Sequence, residues 1–172
     1  MKKLIFLVGM MGTGKSTIGK LLSSKLQLGF IDSDHQIEKI NRLSVTEIFE
    51  KKGEDFFRSE ERRFIENNLP NVPTVVSCGG GLCVADGMMD ELKKRGLVIC
   101  LSASPGKIIE RLTGDDQRPL IRSEDQERII TDLLNDRMPA YQCADYIIKT
   151  DLLSPEEITR RIMDIIGDNL RD

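Results

Sequence analysis

The sequence predicts an α/β fold in which a parallel sheet of five strands lies between two layers of helices. Strand and helix signals alternate from end to end, a pattern typical of parallel strands joined by helical crossovers. The apolar run at residues 4–8 leads directly into a glycine-rich loop and then a helix. A length of 172 residues suits one domain whose sheet is covered on both faces. We therefore expect a single three-layer α/β/α domain over residues 1–172.

The first half of the chain contains signals for three strands and four helical segments. Short apolar runs predict strands at 4–8, 29–31 and 74–77, and two prolines, Pro70 and Pro73, mark the loop before the third strand. The helical segments predicted between these strands cover residues 15–26, 34–40, 44–51 and 54–68.

The second half of the chain continues the alternation around one irregular stretch. A helix at 86–95 leads into a strand at 97–101, and Pro105 is well placed in the first turn of a helix ending near 112. Residues 113–125 are polar and contain Gly and Pro, which predicts a mobile loop. The remaining predicted elements are a helix at 124–136, a short helical piece at 139–143, a strand at 146–148 and a helix at 154–167, which a capping Ser154 and Pro155 open.

Composition and charge exclude several classes of protein. Hydrophobic residues make up 40% of the chain and charged residues 31%, with a formal net charge of -3. This balance offers no broad attraction for nucleic acid or anionic membranes. The apolar run after Met1 is too short for a signal peptide, and no stretch reaches the length of a membrane span. We expect a cytoplasmic protein, a monomer, with neither nucleic-acid nor membrane partners.

The four cysteines do not have the spacing of a metal site or a disulfide framework. They are Cys78, Cys83, Cys100 and Cys143. We expect reduced, mostly structural thiols. Cys78 lies next to a glycine cluster, where a reactive thiol is an alternative to a buried side chain, and the buried side chain is favoured.

Residues 9–16 read Gly-Met-Met-Gly-Thr-Gly-Lys-Ser and match the phosphate-loop pattern completely. The glycines let the backbone turn tightly, so that its N–H groups and the positive end of the next helix form an anion site. Lys15 adds a mobile positive charge for terminal phosphates, and the Ser16 hydroxyl is placed to ligate Mg²⁺. An accidental glycine-rich turn is the alternative. The strand before the loop and the helix after it favour a nucleoside triphosphate site.

Polar or glycine residues also follow the second and third predicted strands. Ligands of open parallel sheets gather at the carboxyl ends of strands. Asp32 and Asp34 follow the second strand, where one carboxylate can face Mg²⁺ and the other an acceptor hydroxyl; helix capping by Asp34 is the alternative. Gly79, Gly80 and Gly81 follow the third strand and leave the backbone open to a ligand, unless they form a plain turn.

Three arginines are candidates for holding phosphate or carboxylate. Arg58 follows two phenylalanines in a charged helix, Arg118 precedes Pro119 in the predicted loop, and Arg137 precedes Met138. The guanidinium group can bond both oxygens of a carboxylate or span phosphate oxygens. For Arg58 and Arg137, spacing alone favours the alternative of a solvated surface residue.

Several segments, in order and spacing, resemble shikimate kinase over nearly the whole chain. The similar segments are the phosphate loop 9–17, Asp32-Ser33-Asp34 with Ile37-Glu38, residues 45–49, Gly53-Glu54, Phe57-Arg58, Glu61, Gly79-Gly80-Gly81, Arg118-Pro119-Leu120 and Arg137 to Tyr141. The resemblance implies a fold like that of nucleoside monophosphate kinases. It places a substrate-binding region at 33–61 and a lid at 112–124.

The resemblance also implies a reaction and a role for each matching residue. The γ-phosphate of ATP passes to the 3-hydroxyl of shikimate, with Mg²⁺ required, in a step toward chorismate and the aromatic amino acids. The implied catalytic residues are Lys15, Asp34 and Arg118. The implied ATP-binding residues are Gly12, Thr13, Gly14, Lys15, Ser16, Thr17, Arg111 and Arg118. The implied shikimate-binding residues are Asp34, Arg58, Gly79, Gly80, Gly81 and Arg137. Ser16 and Asp32 are the implied Mg²⁺ ligands, and Phe49 with Phe57 forms either an apolar wall against the substrate ring or ordinary core packing.

Two other function classes remain as alternatives. Another small-metabolite kinase, such as gluconate kinase, has a similar loop and size, but the arginine motifs at 58 and 137 argue against it. A switch-type GTPase or a non-catalytic nucleotide-binding protein is a second alternative. The chain has no Asn-Lys-x-Asp guanine motif, which disfavours the GTPase.

Overall fold

The computed structural model describes residues 4–112 and 125–168. Within these ranges five strands form one sheet. They are β1 Leu4–Val8, β2 Gly29–Asp32, β3 Thr74–Ser77, β4 Gly96–Ser102 and β5 Tyr146–Lys149. The helices are α1 Lys15–Leu26, α2 Ser33–Asn41, α3 Val45–Lys52, α4 Glu54–Asn67, α5 Met88–Arg95, α6 Pro105–Leu112, α7 Gln126–Tyr141 and α8 Pro155–Asp168, with a 3₁₀ turn at Leu82–Val84. No helix in the described ranges is long and apolar enough to cross a bilayer.

The strands are parallel and lie in the order β2-β3-β1-β4-β5, which confirms the predicted α/β class. β1 is central and pairs with β3 on one side and β4 on the other. Ser77, the last residue of β3, lies opposite Leu7 of β1 and Asp32 of β2. The loops that leave these three strands therefore begin side by side at one edge of the sheet.

The alternation of side chains along β1 divides the core into two layers. Phe6 and Val8 face a layer to which α4, α5, α6 and α7 contribute apolar side chains. Ile5 and Leu7 face the other layer, which α1 and α8 cover. Because helices bury apolar residues on both faces, the strands are nearly continuous apolar runs rather than alternating ones.

A smaller apolar cluster holds α2, α3 and α4 together. Ile37, Ile48 and Phe57 are buried against one another, one from each helix. Two caps fix where these helices begin: Asp32 caps α2, and Ser44 forms a capping box with Glu47 at the start of α3. The cluster positions Arg58, which follows Phe57 in α4, beside the sheet edge.

Two predicted boundaries were wrong. Residues 124–136 and 139–143 were expected as separate helical pieces, but α7 runs from Gln126 to Tyr141 with Pro139 inside it. Pro139 removes the backbone hydrogen bond to the carbonyl four residues earlier, but buried Tyr141 keeps the last turn packed against the core, so the helix continues past it. The helix expected at 86–95 begins at Met88, because Gly87 adopts a left-handed conformation with φ 72°.

The layer beneath α1 supplies a test of the packing. Leu22 is completely buried between the sheet and α8, so Leu22→Ala leaves a cavity. We expect the free energy of unfolding to fall by about 2–5 kcal/mol, measured by urea denaturation. Lys20→Ala, on the exposed face of the same helix, is the control and should change it by less than about 0.5 kcal/mol. Equal effects of the two substitutions would contradict the assignment of Leu22 to the core.

Candidate active site

The phosphate loop leaves β1 and enters α1 through backbone conformations that favour glycine. Gly9 has a φ of 131° and Gly14, the residue before α1, a φ of 93°. A side chain at Gly9 would also collide with the carbonyl of Leu101 in β4. The glycines are therefore required by the turn itself and by the close approach of a neighbouring strand.

The loop closes around the Lys15 ammonium group. Lys15 Nζ donates hydrogen bonds to the carbonyls of Gly9 and Met10, each 2.9 Å long. Thr13 Oγ1 donates to the same Met10 carbonyl at 2.8 Å. Lys15 is 9% exposed, so a positive charge is held at the loop with limited access to water. Partial burial strengthens its attraction for a phosphate group.

Three oxygen-bearing side chains meet beside the first turn of α1. Ser16 Oγ donates to Asp32 Oδ2 at 2.6 Å and lies 3.2 Å from Ser77 Oγ. The other oxygen of Asp32 accepts the backbone N–H groups of Asp34 and His35 at 3.2 and 3.4 Å. Asp32, rather than Asp34, is therefore the residue that caps α2.

This oxygen cluster fits a magnesium ion. Mg²⁺ binds oxygen ligands, keeps several waters, and is held through one or two carboxylates together with substrate phosphates. Ser16 and Asp32 supply a hydroxyl and a carboxylate oxygen directly next to the phosphate loop. No cluster of three or more His, Cys, Asp or Glu with metal-site geometry occurs in residues 4–112 and 125–168. One hydroxyl and one carboxylate are a small donor set, which suits an ion that takes its other ligands from water or a bound anion.

The Gly79-Gly80-Gly81 segment follows β3 and lies against charged side chains. A Cβ placed on Gly79 would lie 2.9 Å from Glu61 Oε1 and closer still to Asp34 Oδ1. The Gly79 N–H donates to Ser33 Oγ at 2.8 Å, which ties this segment to the start of α2. The absence of side chains here allows the two carboxylates to approach the backbone.

The next two glycines meet the two candidate arginines. A Cβ on Gly80 would lie 3.2 Å from Arg137 Nη1 and 3.4 Å from the backbone nitrogen of Met11 in the phosphate loop. A Cβ on Gly81 would lie 2.6 Å from Arg58 Nη2. The three-glycine segment therefore borders Arg58, Arg137 and the phosphate loop together.

Arg58 of α4 is held by a buried carboxylate that the sequence left without a role. Arg58 Nη1 donates to Glu61 Oε2 at 2.7 Å. Burial raises the pKa of Glu61 to about 7, although the nearby Arg58 favours the charged form. Glu61 Oε1 is buried and has no hydrogen-bond partner in the described part of the chain. The spacing of three residues from Arg58 on one helix is the signal that could have found this pair.

Arg137 reaches the same segment from α7. Its Nη1 contacts Sδ of Met10, a residue of the phosphate loop, at 3.7 Å. One turn later, Tyr141 Oη donates to the carbonyl of Gly80 at 2.7 Å. Burial raises the pKa of the Tyr141 hydroxyl above its ordinary value, so the hydroxyl remains a donor at neutral pH. The last turns of α7 thus hold the glycine segment and Arg137 in a fixed relation.

Arg111 lies on the other side of the phosphate loop. Its Nη1 donates to Thr150 Oγ1 at 3.0 Å and to the Gly12 carbonyl at 3.4 Å, and its Nη2 donates to the Thr150 carbonyl at 2.9 Å. The loop after β5 is therefore tied to the phosphate loop. Residues 113–124 of the predicted lid at 112–124, with Arg118 among them, lie outside the described residues, as does the loop predicted at 113–125 except for its last residue.

The remaining predictions concern two phenylalanines and the cysteines. Phe57 is buried in the small helical cluster, while Phe49 is partly exposed with its ring centroid 5.1 Å from that of Phe57. Phe57 therefore serves as core packing. Burial raises the pKa of the Cys78, Cys83 and Cys100 thiols, and all four cysteines are free, with Cys143 exposed. The buried interpretation of Cys78 is confirmed.

Comparison with known proteins identifies the family of this chain. The family model described as shikimate kinase matches residues 11–167. The chain belongs to the shikimate kinase family. A shikimate kinase from Thermodesulfovibrio yellowstonii is 44% identical over 94% of this chain and 93% of its own length. One from Caldicellulosiruptor saccharolyticus is 42% identical over 95% of each chain.

A solved structure of the family has the same fold. A shikimate kinase from Acinetobacter baumannii, in complex with shikimate, superposes with a TM-score of 0.89 at 35% identity. The match covers 96% of this chain and 93% of that chain. Family membership confirms the resemblance drawn from the phosphate loop, the glycine segment and the arginine motifs.

The buried Glu61 carboxyl generates a prediction for stability. Its pKa is about 7 in the folded protein against 4.5 for an ordinary glutamate, so the folded state binds a proton that the unfolded state releases between these values. The free energy of unfolding should therefore fall as pH rises from about 4.5 to about 7. We expect Glu61→Gln, which cannot titrate, to make this fall shallower, measured by urea denaturation across that pH range.

Glu66→Gln provides the matched control, because Glu66 is an exposed carboxylate on the same helix. Its pH profile should follow that of the unsubstituted protein. A Glu61→Gln profile as steep as the unsubstituted one would contradict the raised pKa.

Proposed function

We propose that this protein is a shikimate kinase that transfers the γ-phosphate of ATP to the 3-hydroxyl of shikimate, forming shikimate 3-phosphate and ADP. This reaction is a step toward chorismate and the aromatic amino acids. Membership of the family supports the proposal, as does the relative from Acinetobacter baumannii in complex with shikimate. The active unit is a single kinase domain over residues 1–172, with its substrate-binding region at 33–61.

The observation that carries the proposal is the position of Gly80. Its backbone lies between Arg137, a side chain suited to a carboxylate, and the Met11 nitrogen of the phosphate loop. An acid held by Arg137 and Arg58 at this segment would have its hydroxyl groups close to the terminal phosphate of a nucleotide in the loop. Such proximity is the main requirement of phosphoryl transfer, in which the protein positions the reactants and stabilises charge.

Shikimate is a small acid with ring hydroxyls, and the site contains partners for both parts. Arg58 and Arg137 bind its carboxylate, since guanidinium groups form strong charge-assisted hydrogen bonds with carboxylates. Asp34 accepts hydrogen bonds from the ring hydroxyls, including the one that attacks. Gly79, Gly80 and Gly81 let the ring approach the backbone. A raised Glu61 pKa limits the negative charge that the substrate carboxylate meets.

The nucleotide binds at the phosphate loop. Backbone N–H groups of Gly12, Thr13, Gly14, Lys15 and Ser16, with Thr17 in the first turn of α1, surround the phosphates. Lys15 leaves its carbonyl partners to follow the transferring phosphoryl group and stabilises the charge that develops on it. Arg111 and the loop after β5 contribute to the base and sugar side.

Ser16 and Asp32 would hold Mg²⁺ in this proposal. When bound, the ion would supply charge neutralisation for the phosphates of the nucleotide. Arg118, in the lid at 112–124, supplies a further positive charge to the transferring group on closure and excludes water, so that shikimate is favoured over hydrolysis.

The first experiment measures ADP release in a coupled assay with Mg-ATP. We expect shikimate to stimulate ADP release strongly and gluconate to leave it at the basal rate, because a ring holds the carboxylate and the hydroxyls of shikimate at fixed separations, whereas gluconate is an open chain that must lose conformational freedom to bind. Stimulation by gluconate instead would indicate the other small-metabolite kinase. A rate that neither compound changes would favour a nucleotide-binding protein without transfer.

The second experiment tests the carboxylate contact. Arg58→Ala should raise the KM for shikimate by about 10- to 100-fold, the loss expected for hydrogen bonds to a charged group, with a much smaller effect on the KM for ATP. Arg63→Ala is the control, since Arg63 is an exposed arginine of the same helix. Equal increases in both KM values in Arg58→Ala would mean that Arg58 acts structurally.

A further inference from the structure

The Arg58 guanidinium is bonded to two carboxylates of its own helix. Its Nε and Nη2 donate to Glu54 Oε1 at 3.2 and 2.9 Å, and its Nη1 donates to Glu61 Oε2 at 2.7 Å. Glu54 thus occupies the edge of the Arg58 guanidinium that carries Nε and Nη2. This is one of the edges through which a guanidinium binds a carboxylate. All three nitrogens of the group have a protein carboxylate as partner.

The two carboxylates differ in how readily they can leave. The Glu61 side chain is 3% exposed, so its departure from Arg58 would leave a buried carboxyl oxygen without its hydrogen-bond donor. The Glu54 side chain is 62% exposed and can turn into water at little cost. Glu61 is therefore the anchor of Arg58, the partner that stays bonded to it, whereas Glu54 can be replaced on Arg58 by another carboxylate.

The remaining end of the guanidinium is crowded by backbone. A Cβ on Gly81 would lie 2.6 Å from Nη2 and 2.7 Å from Cζ, and closer still to Nη1. One end of the guanidinium meets Gly81, and Nη1 is bonded to the buried Glu61. The Arg58 donors that can be released to another carboxylate are therefore the two that are bonded to Glu54, Nε and Nη2.

We propose that Glu54 is an internal competitor of the substrate carboxylate, which occupies the Arg58 donors in the absence of substrate and is displaced into water when substrate binds. This inference rests on the proposed function, because it requires an acceptor that carries a carboxylate. Each binding event then breaks one arginine–carboxylate contact before it forms another. Glu54 weakens the apparent affinity for the acid and favours ligands whose carboxylate bonds Arg58 better than Glu54 does.

The test replaces Glu54 with its neutral isostere. Glu54→Gln should lower the Kd for shikimate, measured by calorimetry, about two- to fivefold, the equilibrium equivalent of an exposed ion pair. The KM for shikimate should fall in parallel, while kcat and the KM for ATP stay unchanged. In an Arg58→Ala background, Glu54→Gln should have no effect on the Kd, since the contact that it relieves is already gone.

Asp55→Asn is the matched control, because Asp55 is an exposed carboxylate at the next position of α4. It removes the same charge and should leave the Kd for shikimate unchanged. The inference is overturned by an unchanged or raised Kd in Glu54→Gln, by an equal fall in Asp55→Asn, or by a fall that persists without Arg58. If the unsubstituted protein binds no shikimate, the proposed function fails as well; if it does, those results overturn only the role of Glu54.

Discussion

The arrangement of the site depends on the parallel register of β1, β2 and β3. Ser77 lies opposite both Leu7 and Asp32, so the phosphate loop, the Asp32 cap and the glycine segment leave the sheet at one level. In parallel strands the carboxyl ends all point the same way, and each strand can therefore contribute one part of a composite site. A shift of any of these strands along its neighbour would separate Ser16 from Asp32, which are 2.6 Å apart.

Several of the closely spaced charges at this edge are compensated by ion pairs, by hydrogen bonds to the backbone or by a raised pKa. Arg58 lies between Glu54 and Glu61, and the Lys15 ammonium is surrounded by backbone carbonyls. Burial favours the protonated form of Glu61, which reduces repulsion with Asp34. Without substrates, the charged side chains of the site thus bond to other groups of the protein. Several of these bonds have to break before the same side chains can bond to ligands. Exchange of this kind lets a charged site remain folded without its substrates.

Much of this architecture could be predicted from local pattern. The limits of β1, α1, β3 and α6 agree with the predicted ones, because a buried parallel strand is a continuous apolar run and because glycine and proline mark where helices begin. The prediction was wrong around Pro139, since proline is a strong local signal for a break and only packing of Tyr141 shows that the helix continues. Glu61 was likewise recognised as part of a motif but not as the anchor of Arg58, because burial is decided by contacts between distant segments.

The sequence by itself determined the fold class, the phosphate loop and the family, since these depend on residues adjacent in the chain or on the order of motifs along it. Only the tertiary structure decided which side chains share a site. Residues 58, 80 and 137 meet because α4, the loop after β3 and the end of α7 pack at one sheet edge. It also decided that Asp32 and not Asp34 caps α2, and that Arg58 has two carboxylate partners of unequal burial. Distances and burial arise from packing between segments far apart in sequence, which no local pattern encodes.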